Sequence, residues 1–240
     1  MLTSIEYFDQ NQAPVVDAGS IHQYGYERDN EGRIIQIAYF DKDNKPVQDN
    51  FNQVFMIKYK YDEAGRLSST SYWKDATTKM QRWNGFHEYI MKYNQDGQEI
   101  ERLYFDDKGN LSKTNDGYSR QIMKYNPDAS ITERDFFDNN TPVVLITGGI
   151  KNYHSVKYFY DNNARVTSIE YFDEADKPTN VTISFDEEFT AHKIELVYQG
   201  NRIIQENCYL VNSDTPYKII DCLKNDYVNA NGVNKGHKNQ

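Results

Sequence analysis

The stretch Tyr93–Asp106, Y-N-Q-D-G-Q-E-I-E-R-L-Y-F-D, decides the fold. It contains the end of one predicted strand at Tyr93, a glycine-containing turn, and a second strand that closes on Tyr104-Phe105-Asp106. Copies of this pattern recur along the chain, which is typical of a repeat protein. The repeated unit is therefore predicted to be a β-hairpin.

The aromatic pair that ends the second strand is the easiest feature to count. Copies of it begin at residues 7, 39, 72, 104, 136, 171 and, in decayed form as Tyr209-Leu210, 209. A tyrosine ends the first strand of six copies, 13 residues before the pair in the first case and 11 in the others: Tyr26, Tyr61, Tyr93, Tyr125, Tyr160 and Tyr198. A proline follows the pair in five copies: Pro14, Pro46, Pro142, Pro178 and Pro216.

A hairpin of this size is marginally stable alone, so each unit must bury its aromatic face against a neighbour. We predict an all-β fold of tandem antiparallel β-hairpin repeats of about 32 residues, which form a twisted meander or an open β-solenoid. The polar linkers lie at one edge of the array and the hairpin turns at the other. The turns are expected at Asp62–Gly65, Asn94–Gly97, Asn126–Ala129 and Asp161–Ala164.

The two ends of the chain depart from the pattern. Thr3–Asp9 is identical to Thr167–Asp173, so the array starts on a half repeat whose first strand is absent. This predicts either a piece of a longer protein or an array that tolerates a half repeat as its cap. We assign residues 1–223 to an array of about seven units with a decayed last unit, and residues 224–240 to a disordered tail. Asp186–Thr190 is a candidate short helix.

Composition narrows the function classes. The chain of 240 residues carries a net charge of -9 and contains 20 Tyr and 12 Phe, which suits a thin aromatic layer. An acidic chain opposes binding to nucleic acid, because that affinity comes from Lys and Arg at phosphates. Apolar runs are too short for membrane insertion, and the N-terminus has no export signal pattern.

The residues that carry chemistry are spread along the repeats. His87, His154 and His192 precede the first-strand tyrosine by six residues and His22 by four, but Phe55 and Ser119 interrupt the row. A structural role is therefore favoured over a metal site, and the Y-F-D aspartates are interpreted as turn residues rather than as calcium ligands. No catalytic motif is present, so we predict no enzyme, no catalytic residue and no cofactor.

Cys208 and Cys222 leave two alternatives open. They form one disulfide in the last unit or are two small buried apolar residues, depending on the redox compartment.

The aromatic pair predicts which face of the sheet is buried, because neighbours in a strand point to opposite faces. We expect Phe105, Phe137, Phe172 and Trp73 in the core. The tyrosines of the other face would then form a ligand-binding row: Tyr39, Tyr72, Tyr104 and Tyr171. The alternative is that these tyrosines are also covered, by the linkers or by a second layer, with their hydroxyls bonded to backbone groups.

The segment Tyr59–Leu67, Y-K-Y-D-E-A-G-R-L, resembles the core of the YD repeats in bacterial RHS-type proteins. Tyr158–Val166 is a near copy without the glycine, and the period here is longer than is usual in that family. The Y-F-D-x-x-G-N segment also resembles, more weakly, the cell-wall and glucan-binding repeats of bacterial surface proteins and toxins. Both resemblances imply a non-enzymatic scaffold with a secreted or cell-surface location, and the second implies glycan binding.

Two functions follow as expectations. The first is a binding or scaffold module that presents an acidic, tyrosine-rich surface to a protein partner. The second is a glycan-binding module, in which aromatic rings stack on sugars and Asp or Asn bind hydroxyl groups.

Overall fold

The fold is seen in a computed structural model that describes residues 3–51, 53–184 and 188–222. All of the regular secondary structure in these ranges is β-strand. The strands are β1 (Ser4–Glu6), β2 (Gln23–Arg28), β3 (Ile34–Phe40), β4 (Met56–Tyr61), β5 (Leu67–Trp73), β6 (Glu88–Tyr93), β7 (Glu99–Phe105), β8 (Arg120–Tyr125), β9 (Ile131–Asp138), β10 (Thr141–Pro142), β11 (Ile150–Lys151), β12 (Ser155–Tyr160), β13 (Val166–Phe172), β14 (Val181–Ser184), β15 (Glu188–Ala191), β16 (Lys193–Gln199), β17 (Arg202–Tyr209) and β18 (Lys218–Asp221).

The described chain divides into two compact units on either side of the Asn115–Asp116 bond. In the first unit, β1 to β7 pair in chain order as an antiparallel meander. In the second unit, β8, β9, β12, β13, β16, β17 and β18 follow the same scheme, and β11, β14 and β15 form a small separate sheet. The predicted all-β hairpin repeat is confirmed, in its meander form.

The turns have the predicted chemistry. In the first YD-like turn, the Asp62 carboxylate accepts hydrogen bonds from the backbone N–H groups of Ala64 and Arg66. The fourth turn position has positive φ in each predicted turn, as glycine at Gly65 and Gly97 but as alanine at Ala129 and Ala164. A left-handed alanine is strained, so the two alanine turns hold this conformation at a cost in stability.

Strand register corrects two of the predicted equivalences. In the first hairpin, Arg28 pairs with Ile34 as Tyr61 pairs with Leu67, so Arg28 and not Tyr26 ends the first strand of the repeat. The residue spacing of 11 to the aromatic pair then holds here too, and His22 lies six residues before this position, like the other histidines.

The last hairpin is one residue shorter at its turn than its neighbours. Tyr198 pairs with Ile203, and Tyr209 pairs with Lys193 as Phe172 pairs with Ser155. Tyr209 is therefore the second aromatic position, and Cys208 takes the place of the tyrosine in the core.

The region after residue 185 also differs from expectation. Glu188–Ala191 is strand β15 and pairs with β14, so the predicted short helix is wrong for these residues. The tail at 224–240 and the predicted array end at residue 223 lie outside the described residues. The domain assignment stays a prediction.

Candidate functional site

The tyrosine row predicted to bind a ligand is buried. Tyr39, Tyr72, Tyr104 and Tyr171 are only 2% to 6% exposed, and Phe136 holds the same position with 5%. Of the residues predicted to form the core, only Phe172 is buried, whereas Phe105, Phe137 and Trp73 are half-buried. The predicted alternation between faces is present, but the assignment of the faces was wrong. Ligand binding by these tyrosines stays an untested prediction. The exposed row on which the prediction depended is not present in the structure.

The polar linkers cause this reversal, because they fold over the tyrosine face. After each aromatic pair the chain turns back, so that Val47 N–H donates to Tyr39 O and Met80 N–H to Tyr72 O. The end of the linker then places a ring on the tyrosines: the Phe86 ring lies 4.8 Å from that of Tyr104, and the Tyr153 ring lies 5.1 Å from that of Tyr171. The equivalent residues of the first two linkers, Ile21 and Val54, are fully buried. The linkers therefore form the second layer of the core.

The second aromatic residues lie on the other face, which we call the open face. Cations cover several of these rings: Lys58 Nζ lies 3.9 Å from the Trp73 centroid and Lys157 Nζ 4.1 Å from that of Phe172. Arg120 lies over Phe137 at 5.5 Å. Because the chain's own cations already occupy these ring faces, stacking a sugar on them would require displacing a favourable cation–π contact.

The repeated histidines serve the fold. His87 is 1% exposed, and its Nδ1 lies 3.1 Å from Met80 O. His22, His154 and His192 make the same kind of bond to a linker or strand carbonyl. A carbonyl only accepts, so Nδ1–H donates, and each ring fixes a linker against a strand. Among residues 3–51, 53–184 and 188–222, no group of three or more His, Cys, Asp or Glu is arranged to hold a metal ion.

The YD-like motif joins neighbouring hairpins. Arg66 Nε donates to Asp62 Oδ2 at 2.7 Å, and the same guanidinium lies over the Tyr93 ring of the next hairpin at 4.7 Å. The Tyr93 hydroxyl in turn donates to Leu67 O at 2.6 Å. Equivalent contacts link Asp29, Arg33 and Tyr61, and Asp161, Arg165 and Tyr198. The arginine and tyrosine of the motif therefore join neighbouring repeats, the aspartate holds the arginine in place, and all three side chains are engaged within the scaffold.

Both cysteines are free and buried. Cys208 pairs with Lys218, and Cys222 lies four residues further along, about 13 Å at about 3.3 Å per residue. A disulfide needs Cα atoms within about 7 Å, so this register excludes the cap disulfide. Burial raises the pKa of the Cys208 thiol to about 12, which keeps it protonated and unreactive.

Two exposed rings distinguish the linkers of the first unit. Phe51 is 69% exposed and Trp83 is 61% exposed, the two highest values among the exposed large apolar side chains of the described chain. They occupy the same position of consecutive repeats, five residues before the start of the first strand. Repeats two strands apart lie about 10 Å from each other, so we expect these residues to project as neighbours, and we call them the linker-edge pair.

The backbone that carries Trp83 is held on both sides. Arg82 N–H donates to Phe86 O at 2.8 Å, and Gly85 N–H donates to Arg82 O at 3.0 Å. The next linker adds two bonds from Asn115, to Asn84 O and to Trp83 O, both 3.1 Å. The described residues make no ring or cation contact with the indole, so a rigid loop presents a free apolar ring.

Phe51 is supported in a similar way. Its N–H donates to Asp49 Oδ1 at 3.0 Å, and Asn50 N–H donates to Gly19 O at 3.1 Å in the preceding linker. A Cβ on Gly19 would lie 3.4 Å from Phe51 Cε2, so the ring packs over this glycine.

The sequence contained a signal for the linker-edge pair. Ala18 and Asn115 occupy the equivalent linker position in the flanking repeats, so two large rings there depart from the pattern. Both rings are mostly exposed and lie outside the core, and loops frequently carry binding residues.

Comparisons with known proteins show no family, and the solved structures that match do so at low identity and low TM-scores. No protein-family model and no curated protein matches the chain. The crystal structure of TcdB2-TccC3-Cdc42 is similar over 81% of this chain, with 11% identity and a TM-score of 0.26. The structure of TcdB2-TccC3 without its hypervariable C-terminal region is similar over 91%, with 11% identity and a TM-score of 0.27. The Photorhabdus luminescens Tc holotoxin pore matches over 81%, also with 11% identity and a TM-score of 0.26.

This chain spans only 11% to 12% of the length of those chains. At such low TM-scores the matches suggest a related repeat-protein fold at most and carry no argument about function. No helix in the described part of the chain is long and apolar enough to cross a membrane.

Proposed function

We propose that this chain is a non-enzymatic protein-interaction module whose anchors are Phe51 and Trp83. One observation carries the proposal: two large apolar rings are more than 60% exposed on adjacent linkers whose backbones are fixed by hydrogen bonds. Protein interfaces concentrate their binding energy in such aromatic anchors, and a rigid backbone lowers the entropy lost on binding.

The proposal changes where the acidic, tyrosine-rich surface lies. The tyrosines are in the core, and many aspartates are used in turns, where their carboxylates accept backbone N–H groups, as Asp41 does from Asp43 and Lys45. The YD-like motif, which links hairpins, supports a scaffold related to YD repeats. The repeats build the scaffold, and the non-repeating rings at its linker edge meet the partner.

Glycan binding is the second candidate, and the exposed ring of Trp83 favours it. The indole has a free face on which a sugar can stack, whereas the amides beside it in the chain are already engaged or covered: Gln81 Nε2 donates to Gly85 O at 2.6 Å, and Asn84 Oδ1 is buried. The covered rings of the open face oppose the same function there. Binding of a glycan would therefore also depend on Trp83. An experiment that offers both peptides and glycans is needed to distinguish protein binding from glycan binding.

The test selects peptides from a phage-displayed cyclic library on the full chain and measures their Kd by calorimetry. We expect Trp83→Ala to weaken the selected peptides about 30-fold or more, which corresponds to a hot spot of about 2 kcal/mol. Phe51→Ala should weaken them in the same direction. Phe159→Ala is the matched control, because this ring is 46% exposed but lies in a strand of the second unit.

The variants should keep the urea midpoint of the parent, since the rings lie outside the core. Selected peptides that bind Trp83→Ala as tightly as the parent would refute the proposal. Binding on a glycan array that depends on Trp83, without any selected peptide, would replace it by the glycan alternative.

A further inference from the structure

The outer edge of β1 is a second surface of interest, and an internal copy of the same sequence shows what belongs there. Residues 3–9 and residues 167–173 both read T-S-I-E-Y-F-D. In the second copy, β13 is bonded by β12 on one edge and by β16 on the other. In the first copy, β1 pairs only with β2 among the described strands.

The two copies occupy the same place in their units. Ser4, Ile5 and Glu6 pair with Gly25, Tyr24 and Gln23, as Ser168, Ile169 and Glu170 pair with Glu195, Ile194 and Lys193. The next histidine also packs edge-on in both copies: His22 lies 5.4 Å from Phe8, and His192 lies 6.0 Å from Phe172. The remaining edge of β1 therefore corresponds to the edge of β13 that β12 covers.

Exposure shows the consequence of this difference. Phe172 is 9% exposed beside β12, whereas Phe8 is 47% exposed. Tyr171 is 2% exposed and its counterpart Tyr7 is half-buried. The same two side chains are therefore buried in the second copy, where β12 lies beside them, and partly or largely exposed in the first copy, where no described strand lies on that edge.

We propose that the outer edge of β1 is a docking site for one extended peptide strand with the pattern of β12. The strand adds antiparallel to β1 by main-chain hydrogen bonds, the mode known as β-augmentation. The β12–β13 register fixes its side chains: valine opposite Tyr7, lysine opposite Glu6 and tyrosine opposite Ile5, as Val156, Lys157 and Tyr158 lie opposite Tyr171, Glu170 and Ile169. Lys157 Nζ lies 4.1 Å from the Phe172 centroid, so the lysine of the docked strand would cover the matching ring of Phe8, and the valine would cover Tyr7.

The occupant is a strand of another polypeptide segment and not the β12 strand of a second copy of this fold. In a second copy, β12 is already bonded by β9 and β13, so its release would break both pairings. The partner's chemistry is therefore that of an unpaired segment with alternating apolar and basic residues. This surface is separate from the linker-edge pair, so failure of one proposal leaves the other standing.

The backbone groups of β1 alternate between β2 and the outer edge, so one substitution can remove an outward donor without affecting the β2 pairing. Tyr7 N–H donates to His22 O and Tyr26 N–H donates to Thr3 O, so odd-numbered residues of β1 bond to β2. The N–H and C=O groups of Glu6 consequently point to the outer edge. Glu6→Pro removes one outward donor and leaves the β2 pairing in place, and proline is tolerated on such an edge.

The probe is a fluorescein-labelled peptide with the sequence of His154–Tyr160, H-S-V-K-Y-F-Y, titrated with the full chain and followed by anisotropy. We expect saturable binding, at least tenfold weaker binding to Glu6→Pro, and none of a scrambled peptide. Glu6→Ala, which retains the backbone donor, should weaken binding by less than Glu6→Pro. Hydrogen exchange should show new protection of the Glu6 amide when the peptide is bound.

Three results of the titration and of hydrogen exchange would overturn the proposal. These are absence of binding with the chain at about 1 mM, the weak end of specific affinity, equal binding by the parent and Glu6→Pro, and protection of amides only outside β1. Concentration-dependent self-association of the chain that Glu6→Pro abolishes would also overturn it, because a second copy would then be the occupant.

Discussion

Alanine substitution of Phe136 and Phe137, one at a time, separates the two faces of the sheet within one strand. The two residues are of the same type and adjacent in β9. Phe136 is 5% exposed and packs against the linker rings of Tyr118 at 4.9 Å and Tyr153 at 5.8 Å. Phe137 is half-buried on the open face, where it contacts His154 at 5.0 Å and Arg120 at 5.5 Å.

The expected magnitudes differ because only one substitution leaves a cavity in the core. Phe136→Ala should cost about 3–5 kcal/mol, the usual range for a buried ring. Phe137→Ala loses part of the transfer free energy of a ring and one edge-on contact, which together amount to about 1–2 kcal/mol. Phe136→Ala should therefore destabilise the protein more than Phe137→Ala, by at least about 1 kcal/mol.

Urea unfolding followed by circular dichroism in the strand region measures both variants. The free energy of unfolding follows from the midpoint when the slope is unchanged. An equal loss in both variants, or a larger loss for Phe137→Ala, would refute the assignment of the tyrosine face to the core.

Three further predictions concern the turns and the contacts between repeats. Ala164→Gly should stabilise the chain by about 0.5–1 kcal/mol in urea unfolding, because Ala164 has a φ of 58°; Ala175→Gly is the control, and an equal effect there would contradict the explanation by backbone strain. Tyr160→Phe should cost about 1 kcal/mol, because it removes the hydrogen bond to Ile131 O at 2.7 Å; an unchanged midpoint would show that this bond contributes nothing between repeats. Backbone N–H donors lower the pKa values of the turn aspartates, to about 2 for Asp75. These carboxylates therefore stabilise the folded state fully above the ordinary pKa of 3.8, and the free energy of unfolding should fall as the pH decreases from there to about 2. Urea midpoints that stay constant over this range would contradict the prediction.

The repeat, its hairpins and their turns could be predicted from the sequence, because each is a local pattern. Strand alternation and Asx-Gly turns act within a few residues, and Tyr93–Asp106 contains both. The role of the turn aspartates followed for the same reason, since each accepts backbone N–H groups two to four residues away, whereas the histidines bond to carbonyls 7 to 21 residues away.

The buried face could not be predicted in this way. Tyr104 and Phe105 are both aromatic, and alternation says only that they point to opposite sides. The choice depends on where the linker packs, and a linker with Phe86 at its end places its apolar side chain on Tyr104. This is a tertiary contact, and it leaves no periodic pattern in the sequence from which it could be predicted.

The register of the first and last hairpins was also out of reach. One turn residue fewer after Tyr198 moves Cys208 into the core position and Tyr209 to the open face. The aromatic pattern alone placed Tyr209 at the first position of the aromatic pair. The spacing between residues in the sequence does not reveal that the turn is one residue shorter, because that depends on how the strands pair.

Hydroxyl-radical footprinting with mass spectrometry tests the central claim most directly, because it reads the exposure of all these rings in one sample. The account predicts rapid oxidation of Trp83 and Phe51 and strong protection of Tyr39, Tyr72, Tyr104 and Tyr171, with protection lost in urea. Tyrosines of this row that oxidise in the folded protein as fast as they do in urea, together with a protected Trp83, would contradict it.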